Sequence, residues 1–292
     1  MRIGSANNKF LSVEDWNREK VVHTDFAKLK ELGYNAMDSN HFCDVNCYLS
    51  NVPEEEFEAF LKEEKRLGEE NGIWINQVHG SWPVYDEYED RREKHLDHMR
   101  KCIRGAYYVG AEVVVYHPIM PEGWWKESDP EFSFKMNVEK FSELADYAAG
   151  YGIKIAVENL PFPPIALAKT ENIRKLVDEI NKPNVGICLD TGHANVFKSD
   201  IGDIVRICGD KLFCLHVHDN KGYHDDSHQV PFLCGIDWHK FMKALKEIDY
   251  KGVLSLESYA YGIGRKDMPP HLVDMFLKFE AETAKYLASL MD

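Results

Sequence analysis

The chain has 292 residues, of which 44% are hydrophobic and 29% are charged, and its formal net charge is −14. This length is enough for one large core or two modest ones, and the composition is that of an ordinary globular protein. The acidic charge argues against a nucleic-acid binder or a protein of anionic membrane surfaces, and no apolar stretch approaches the length of a membrane span. We therefore expect neither nucleic acid nor membrane as a partner.

The seven cysteines indicate a reducing compartment, because their number is odd and they show no paired spacing. The opening residues also lack the apolar core of a secretory signal. We therefore expect a cytoplasmic protein. The closest pair, Cys43 and Cys47, has no second pair nearby, so a structural zinc site is not expected there.

Short β-rich runs alternate with longer amphipathic runs along the chain. The eight predicted strands are residues 2–6, 34–40, 73–80, 111–118, 153–160, 185–193, 212–219 and 252–258. Helical runs lie between them, as at 54–72 and 137–152, and the chain ends in a helical run at 270–291. Several helices are predicted to end at a glycine just before the next strand. These glycines are Gly33, Gly72, Gly110 and Gly152.

Eight strands, each followed by a helix, predict an α/β fold of the (β/α)8 TIM barrel type. A doubly wound parallel sheet is the competing architecture, but no glycine-rich phosphate loop follows the first strand. The sequence shows neither a linker nor a shift in composition. We therefore expect residues 1–292 to form a single barrel domain.

Polar side chains lie at or just beyond the predicted C-terminal ends of six strands, which is where barrel enzymes have their active sites. They are His79, His117, Glu158, Asp190, His193, His216, His218 and Glu257. Glu158, Asp190, Glu257 and one strand-seven histidine would converge at the same mouth. Three carboxylates would repel one another there unless a cation neutralised them. Oxygen donors with one nitrogen suit Mn²⁺, Mg²⁺, Co²⁺ or Zn²⁺, so the sequence predicts one divalent metal ion.

Other candidates carry a weaker signal. His95 and His98 lie in the charged run "RREKHLDHMR", and we interpret them as part of a solvated helix face. Trp124 and Trp125 follow the fourth predicted strand. They either form a lid that stacks on a sugar ring or cover the barrel rim.

Six short motifs, in their order and spacing, resemble those of the xylose isomerase-like TIM barrels. This superfamily comprises sugar (phosphate) isomerases and epimerases and endonuclease IV. The motifs are "HGSWPVYDE", "VEN", "LDTGH", "HVHDN", "PFLCGIDW" and "LES". The resemblance runs from the first predicted strand to the last.

In the isomerases and epimerases, the resemblance implies that Glu158 and Glu257 are metal ligands and also the catalytic acid–base pair. It implies that Asp190 and His216 complete the metal shell. His216 is preferred to His218 because the family pattern has a histidine three residues before an acidic residue. The candidate substrate-binding residues are His79, His117, His193, His218, Asp226, His228 and Trp124.

The endonuclease branch offers a different assignment for some of these positions. Five residues match its additional ligands and would allow a cluster of three Zn²⁺ ions: His79, His117, His193, Asp226 and His228. The acidic charge and the lack of an arginine-rich loop at the mouth weigh against a nuclease. The segment "LESYAYGIG" also departs from the nuclease pattern, and Cys234 stands where an acidic residue is common.

The leading hypothesis is a metal-dependent sugar isomerase or epimerase that transfers a proton adjacent to a carbonyl through an enediolate. One alternative is a lyase or dehydratase acting on a keto-sugar, including C-glycoside cleavage. The others are the three-zinc endonuclease and a binding protein without catalysis. The expected partner is a small sugar or sugar derivative, favoured as unphosphorylated because no phosphate clamp is evident. The sequence leaves open whether the chain forms a homo-oligomer.

Overall fold

Eight parallel strands form one sheet in the computed structural model, which describes residues 1–10, 21–82, 89–258 and 268–291. The strands are β1 (Arg2–Ala6), β2 (Ala36–Ser39), β3 (Trp74–His79), β4 (Val113–Tyr116), β5 (Lys154–Glu158), β6 (Val185–Asp190), β7 (Leu212–His216) and β8 (Val253–Leu256). Their order is β7-β6-β5-β4-β3-β2-β1-β8. The two ends meet where Val217 N donates to Ser255 O (2.8 Å) and Glu257 N donates to Val217 O (3.0 Å). The predicted TIM barrel is confirmed.

Helices follow every strand and cover the outside of the barrel. Those in the described residues are α1 (Phe26–Leu32), α2 (Tyr48–Asn51), α3 (Glu54–Asn71), α4 (Glu89–Val109), α5 (Pro130–Ala149), α6 (Thr170–Ile180), α7 (Thr191–Val196), α8 (Ile201–Cys208), α9 (Trp238–Glu247) and α10 (Pro270–Ser289). Of these, α2 and α7 are short additions within loops. No helix in this part of the chain is long and apolar enough to cross a membrane.

Aspartate caps and glycine ends fix several helix boundaries. Asp129 and Asp237 accept hydrogen bonds from the free amides at the starts of α5 and α9. Gly33 and Gly72 follow α1 and α3 in the left-handed conformation that glycine tolerates best. Gly152 also has a positive φ, but α5 ends earlier, at Ala149, and a turn separates the two.

The barrel interior is apolar below and polar above. Its lower layer consists of Val113, Val115, Ala156, Cys188 and Cys214. Side chains two residues apart share one face of a strand. Glu158, Asp190 and His216 therefore lie on the inner face, one step beyond Ala156, Cys188 and Cys214, at the carboxyl ends of their strands.

The interpretation of His98 as part of a solvated helix face is wrong. Its side chain is only 5% exposed, and its ring nitrogens lie 2.9 Å from Ser81 Oγ and 2.8 Å from Ser50 Oγ. Burial lowers the pKa of His98 to about 4, so the ring is neutral. His98 adjoins Met99 and Cys102 on the buried side of α4, and that apolar stripe outweighs the charged surroundings in the sequence.

The cysteines are all free thiols, including Cys43 and Cys47. Four of them are buried: Cys102, Cys188, Cys208 and Cys214. They act as small apolar side chains that fill the core.

A buried ion pair ties α10 to the point where the barrel closes. Lys9 Nζ donates to Glu280 Oε1 (2.5 Å) and to Ser5 Oγ (2.9 Å), and both charged side chains are almost completely buried. Glu280 also accepts a hydrogen bond from Tyr34. A buried charge is tolerated only when it is paired, so each partner is required by the other.

We expect Glu280→Gln to lower the free energy of unfolding by about 3–5 kcal/mol, because it leaves the Lys9 ammonium buried without an anionic partner. Urea denaturation followed by circular dichroism measures this change. The matched control is Asp274→Asn on the same helix, whose exposed pair with Lys28 (3.1 Å) should contribute less than about 1 kcal/mol. Equal effects of the two substitutions would contradict the importance of the buried pair.

Candidate metal centre and active site

Four donors meet at the carboxyl end of the barrel: Glu158, Asp190, His216 and Glu257. Each offers a ligand atom, and these atoms all lie within 4.8 Å of one another. None of the four residues is more than 5% exposed. These are the residues that the sequence predicts as a metal shell, and they come from four different strand ends. Their role as ligands stays a prediction.

Burial and opposite charges shift the pKa values within this group. His216 Nδ1 lies 2.8 Å from Glu158 Oε1 and 3.2 Å from Glu257 Oε2. Burial alone would lower the pKa of His216, but these carboxylates outweigh it and raise that pKa well above its ordinary value. Burial likewise acts to raise the pKa of Glu257, yet His216 and His228 lower it to about 2. Glu158 Oε2 and Asp190 Oδ2 are buried and have no hydrogen-bond partner in the described structure.

A second donor group lies beside the first and consists of His193, His218, Asp226 and His228. Asp226 Oδ1 is 3.6 Å from His193 Nε2 and 3.4 Å from His228 Nε2. Burial opposes ionisation of Asp226, but the two imidazoles hold its pKa below the ordinary range. Asp226 in turn contributes to the raised pKa values of His193 and His228.

Two more predicted residues, His79 and His117, flank the free oxygen of Glu158. Their Nε2 atoms lie 3.6 Å and 3.5 Å from Glu158 Oε2. Burial, together with the neighbouring imidazoles, lowers the pKa of His117 well below its ordinary value, so this ring is neutral. Glu158 is therefore shared between these histidines and the four-residue group.

Backbone carbonyls orient three of the imidazoles. The Nδ1 atom of His79 lies 3.1 Å from Gly80 O, that of His193 lies 2.9 Å from Asn159 O, and that of His228 lies 2.8 Å from Glu257 O. Because a carbonyl oxygen only accepts, Nδ1 carries a proton in each ring. The opposite nitrogen, Nε2, then faces the carboxylates, which is the arrangement that a ligand or substrate-binding histidine requires.

His218 lies deeper in the protein than the imidazoles of His79, His193 and His228. It is fully buried, stacks on His228 with ring centroids 3.6 Å apart, and places Nε2 2.9 Å from Asp190 Oδ1. The His218 ring fits in this position only because residue 192 is a glycine. A Cβ on Gly192 would lie 1.9 Å from the ring. As placed, His218 contacts Asp190 and His228 rather than the cavity, so its predicted contact with substrate stays a prediction.

The loop after β7 carries Asp226 and His228 to the mouth of the barrel. Asp219, at the start of this loop, fixes its conformation through hydrogen bonds. The buried Asp219 carboxylate accepts hydrogen bonds from Cys234 N (3.1 Å), from two further backbone amides and from the Trp238 indole. The Asp219 and Gln229 backbones pair through two 2.7 Å hydrogen bonds. Cys234 thus contributes its backbone amide to this arrangement.

A cavity of about 220 Å³ opens beside these donors. Asn8 and Asn40 contribute a polar wall that the sequence reasoning missed, although they follow β1 and β2 in the same way that the predicted residues follow other strands. Trp82 and Phe162 form an aromatic wall with nearly parallel rings. Trp124 lies at the rim, 46% exposed, with its ring 5.3 Å from Phe162.

Parts of two motifs lie outside the described residues. They are positions 83–87 of "HGSWPVYDE" and the segment "YAYGIG" that follows Ser258. A further residue missed by sequence reasoning is Asp38 on β2, whose Oδ2 lies 2.9 Å from His216 Nε2. A polar residue inside a predicted strand was the available signal.

Comparisons with known proteins agree with this architecture. An inosose isomerase of Bacillus subtilis is 31% identical over 156 residues, which cover 52% of this chain and 55% of the relative, so the match spans about half of that protein. The crystal structure of a D-tagatose 3-epimerase-like protein has a TM-score of 0.74 at 25% identity and covers 100% of this chain and 98% of its own. The structure of the IOLI protein, which contains a zinc atom, has the same TM-score at 20% identity and the same coverage.

The family assignment rests on most of the barrel. Residues 26–279 match the model of one protein family, and this range begins at α1 and ends within α10. It contains all the donors described above, from His79 to Glu257. The chain belongs to the xylose isomerase-like TIM barrel family.

Proposed function

We propose that this chain is a metal-dependent sugar isomerase or epimerase that moves a proton adjacent to a carbonyl group. The observation that carries the proposal is the buried group of Glu158, Asp190, His216 and Glu257 beside a small cavity. The similar inosose isomerase and D-tagatose 3-epimerase-like protein, by their names, support the same class of reaction.

The same four residues would hold one divalent ion. Three carboxylates and one imidazole fit Mn²⁺, Mg²⁺, Co²⁺ or Zn²⁺, and the unpartnered oxygens of Glu158 and Asp190 are the kind of donors that such an ion satisfies. When bound, the ion supplies Lewis-acid chemistry that acidifies the C–H bond beside a carbonyl.

The protein side chains would perform the proton transfer. One of Glu158 and Glu257 removes the proton from carbon, and the other returns a proton, in the manner of a general base and a general acid. The resulting enediolate carries negative charge. His193 and His228, whose pKa values are raised, would donate hydrogen bonds to its oxygens.

The lining of the cavity supports a neutral polyol as substrate. The amide oxygens of Asn8 and Asn40 are buried without a hydrogen-bond partner in the described structure, so they suit hydroxyl donors. Trp82 and Phe162 offer an apolar surface for the carbon–hydrogen face of a sugar. The described lining contains neither lysine nor arginine, which favours an unphosphorylated ligand.

A second candidate function is a three-zinc phosphodiesterase. It is favoured by one observation, the additional donor groups around His79 and around Asp226, which lie close to the first. The net charge of −14 and the absence of lysine and arginine from the described lining oppose it, because these side chains bind a phosphate backbone. The number of bound ions separates the two functions.

We expect protein purified without chelators to contain about one divalent ion per chain by mass spectrometry of metals, since one group supplies a complete shell. Asp190→Asn should remove most of that ion because it removes a buried anionic ligand. His228→Gln, outside the group, should retain it. Three zinc ions per chain, one of them lost in His228→Gln, together with nicking of abasic DNA, would establish the phosphodiesterase instead.

We expect Glu158→Gln and Glu257→Gln each to lower kcat by about 10²- to 10⁴-fold, because each removes one acid–base group. Turnover is measured on a panel of ketoses and inososes, with exchange of the substrate C–H in D₂O followed by NMR. Metal content, measured on each variant, separates loss of the ion from loss of proton transfer. The control is Glu112→Gln, an exposed residue just before β4 at the opposite end of the barrel, which should be unaffected. Product formation without C–H exchange would indicate a lyase, and full activity of metal-stripped protein would refute the mechanism.

A further inference from the structure

A fifth buried acidic residue, Asp38, stands against the candidate metal centre from the side of β2. Its side chain is 1% exposed, and its Oδ2 atom lies 2.9 Å from His216 Nε2 and 3.0 Å from Gln77 Nε2. A register shift between Met37 and Asp38 places Asp38 opposite Gln77 rather than Asn76. This irregularity brings the inward-facing amide of Gln77 alongside the carboxylate.

The hydrogen bonds around Asp38 have a defined direction. Gln77 Oε1 accepts from Asn76 Nδ2 (2.9 Å), which leaves the Gln77 Nε2 group to donate to Asp38. A carboxylate oxygen accepts, so His216 Nε2 donates to the same Asp38 oxygen. The opposite nitrogen, Nδ1, then faces Glu158 and Glu257.

Asp38 cannot share the ion that His216 would bind. The two nitrogens of an imidazole point to opposite sides of the ring, and Asp38 lies on the Nε2 side. Glu158 and Glu257 lie on the Nδ1 side, and the group of four donors does not include Asp38. The carboxylate therefore acts through the ring.

We propose that Asp38, held by Gln77, is a positioning residue that fixes the orientation of His216 and presents Nδ1 to a divalent metal. The inference rests on the proposed metal-dependent function. A hydrogen bond from the far nitrogen of a ligand histidine to a carboxylate fixes the ring and strengthens the near nitrogen as a ligand. In this barrel the supporting carboxylate comes from a strand that supplies none of the four donors.

The test measures binding of Co²⁺ alone by chelator competition, and the visible absorption spectrum of the Co²⁺-loaded protein. Asp38→Leu removes both hydrogen bonds, and we expect about 10- to 100-fold weaker binding and an altered spectrum. Asp38→Asn can keep an acceptor oxygen in place, so it should bind more tightly than Asp38→Leu and keep the native spectrum. Gln77→Leu should weaken binding less than Asp38→Leu.

The matched control is Ser39→Ala, the next residue of β2, whose buried hydroxyl has no hydrogen-bond partner in the described structure. It should bind Co²⁺ as the unmodified chain does. Equal losses in Asp38→Asn and Asp38→Leu with unchanged spectra would reveal an effect of charge alone and overturn the positioning role. If Asp38→Leu fails to fold by circular dichroism, Asp38→Asn and Gln77→Leu decide, and native affinity in both would overturn it. Failure of the unmodified chain to bind Co²⁺ would instead refute the proposed function.

Discussion

The burial of four carboxylates around one imidazole is the constraint on which the rest of the structure depends. Asp38, Glu158, Asp190 and Glu257 surround His216 where water is largely excluded, and unpaired charges in such a place are strongly destabilising. Nearby hydrogen-bond donors offset this cost. The backbone amide of His193 donates to Asp190 Oδ1 at the start of α7 (2.6 Å), and the imidazoles of His79 and His117 approach Glu158. The divalent cation proposed above would complete this balance.

Much of the fold and part of the site could be predicted from the sequence because both depend on local patterns. An apolar run that ends in a carboxylate, as before Glu158 and Asp190, marks an inward-facing position at a strand end. Parallel strands in a barrel bring all such ends to one mouth, so the convergence follows from topology. The four residues that the structure brings together are the same four that the sequence predicts as donors.

The remainder depends on packing that sequence patterns do not encode. A register shift between β2 and β3 places Gln77 opposite Asp38, and a shift cannot be derived from one strand alone. The burial of His98 depends on two serines distant in the sequence. The sequence places His218 just beyond a strand end, like the residues at the barrel mouth. The absence of a side chain at Gly192 instead allows its ring to be buried.

The two donor groups have different architectural origins. The group around His216 is built on strand ends, whose spacing the whole barrel determines, whereas Asp226 and His228 belong to a loop whose base is held by the single carboxylate of Asp219. Loops accept insertions and replacements that strands do not. The second donor group is thus modular: remodelling one connection can change its side chains while the group built on the strand ends stays intact.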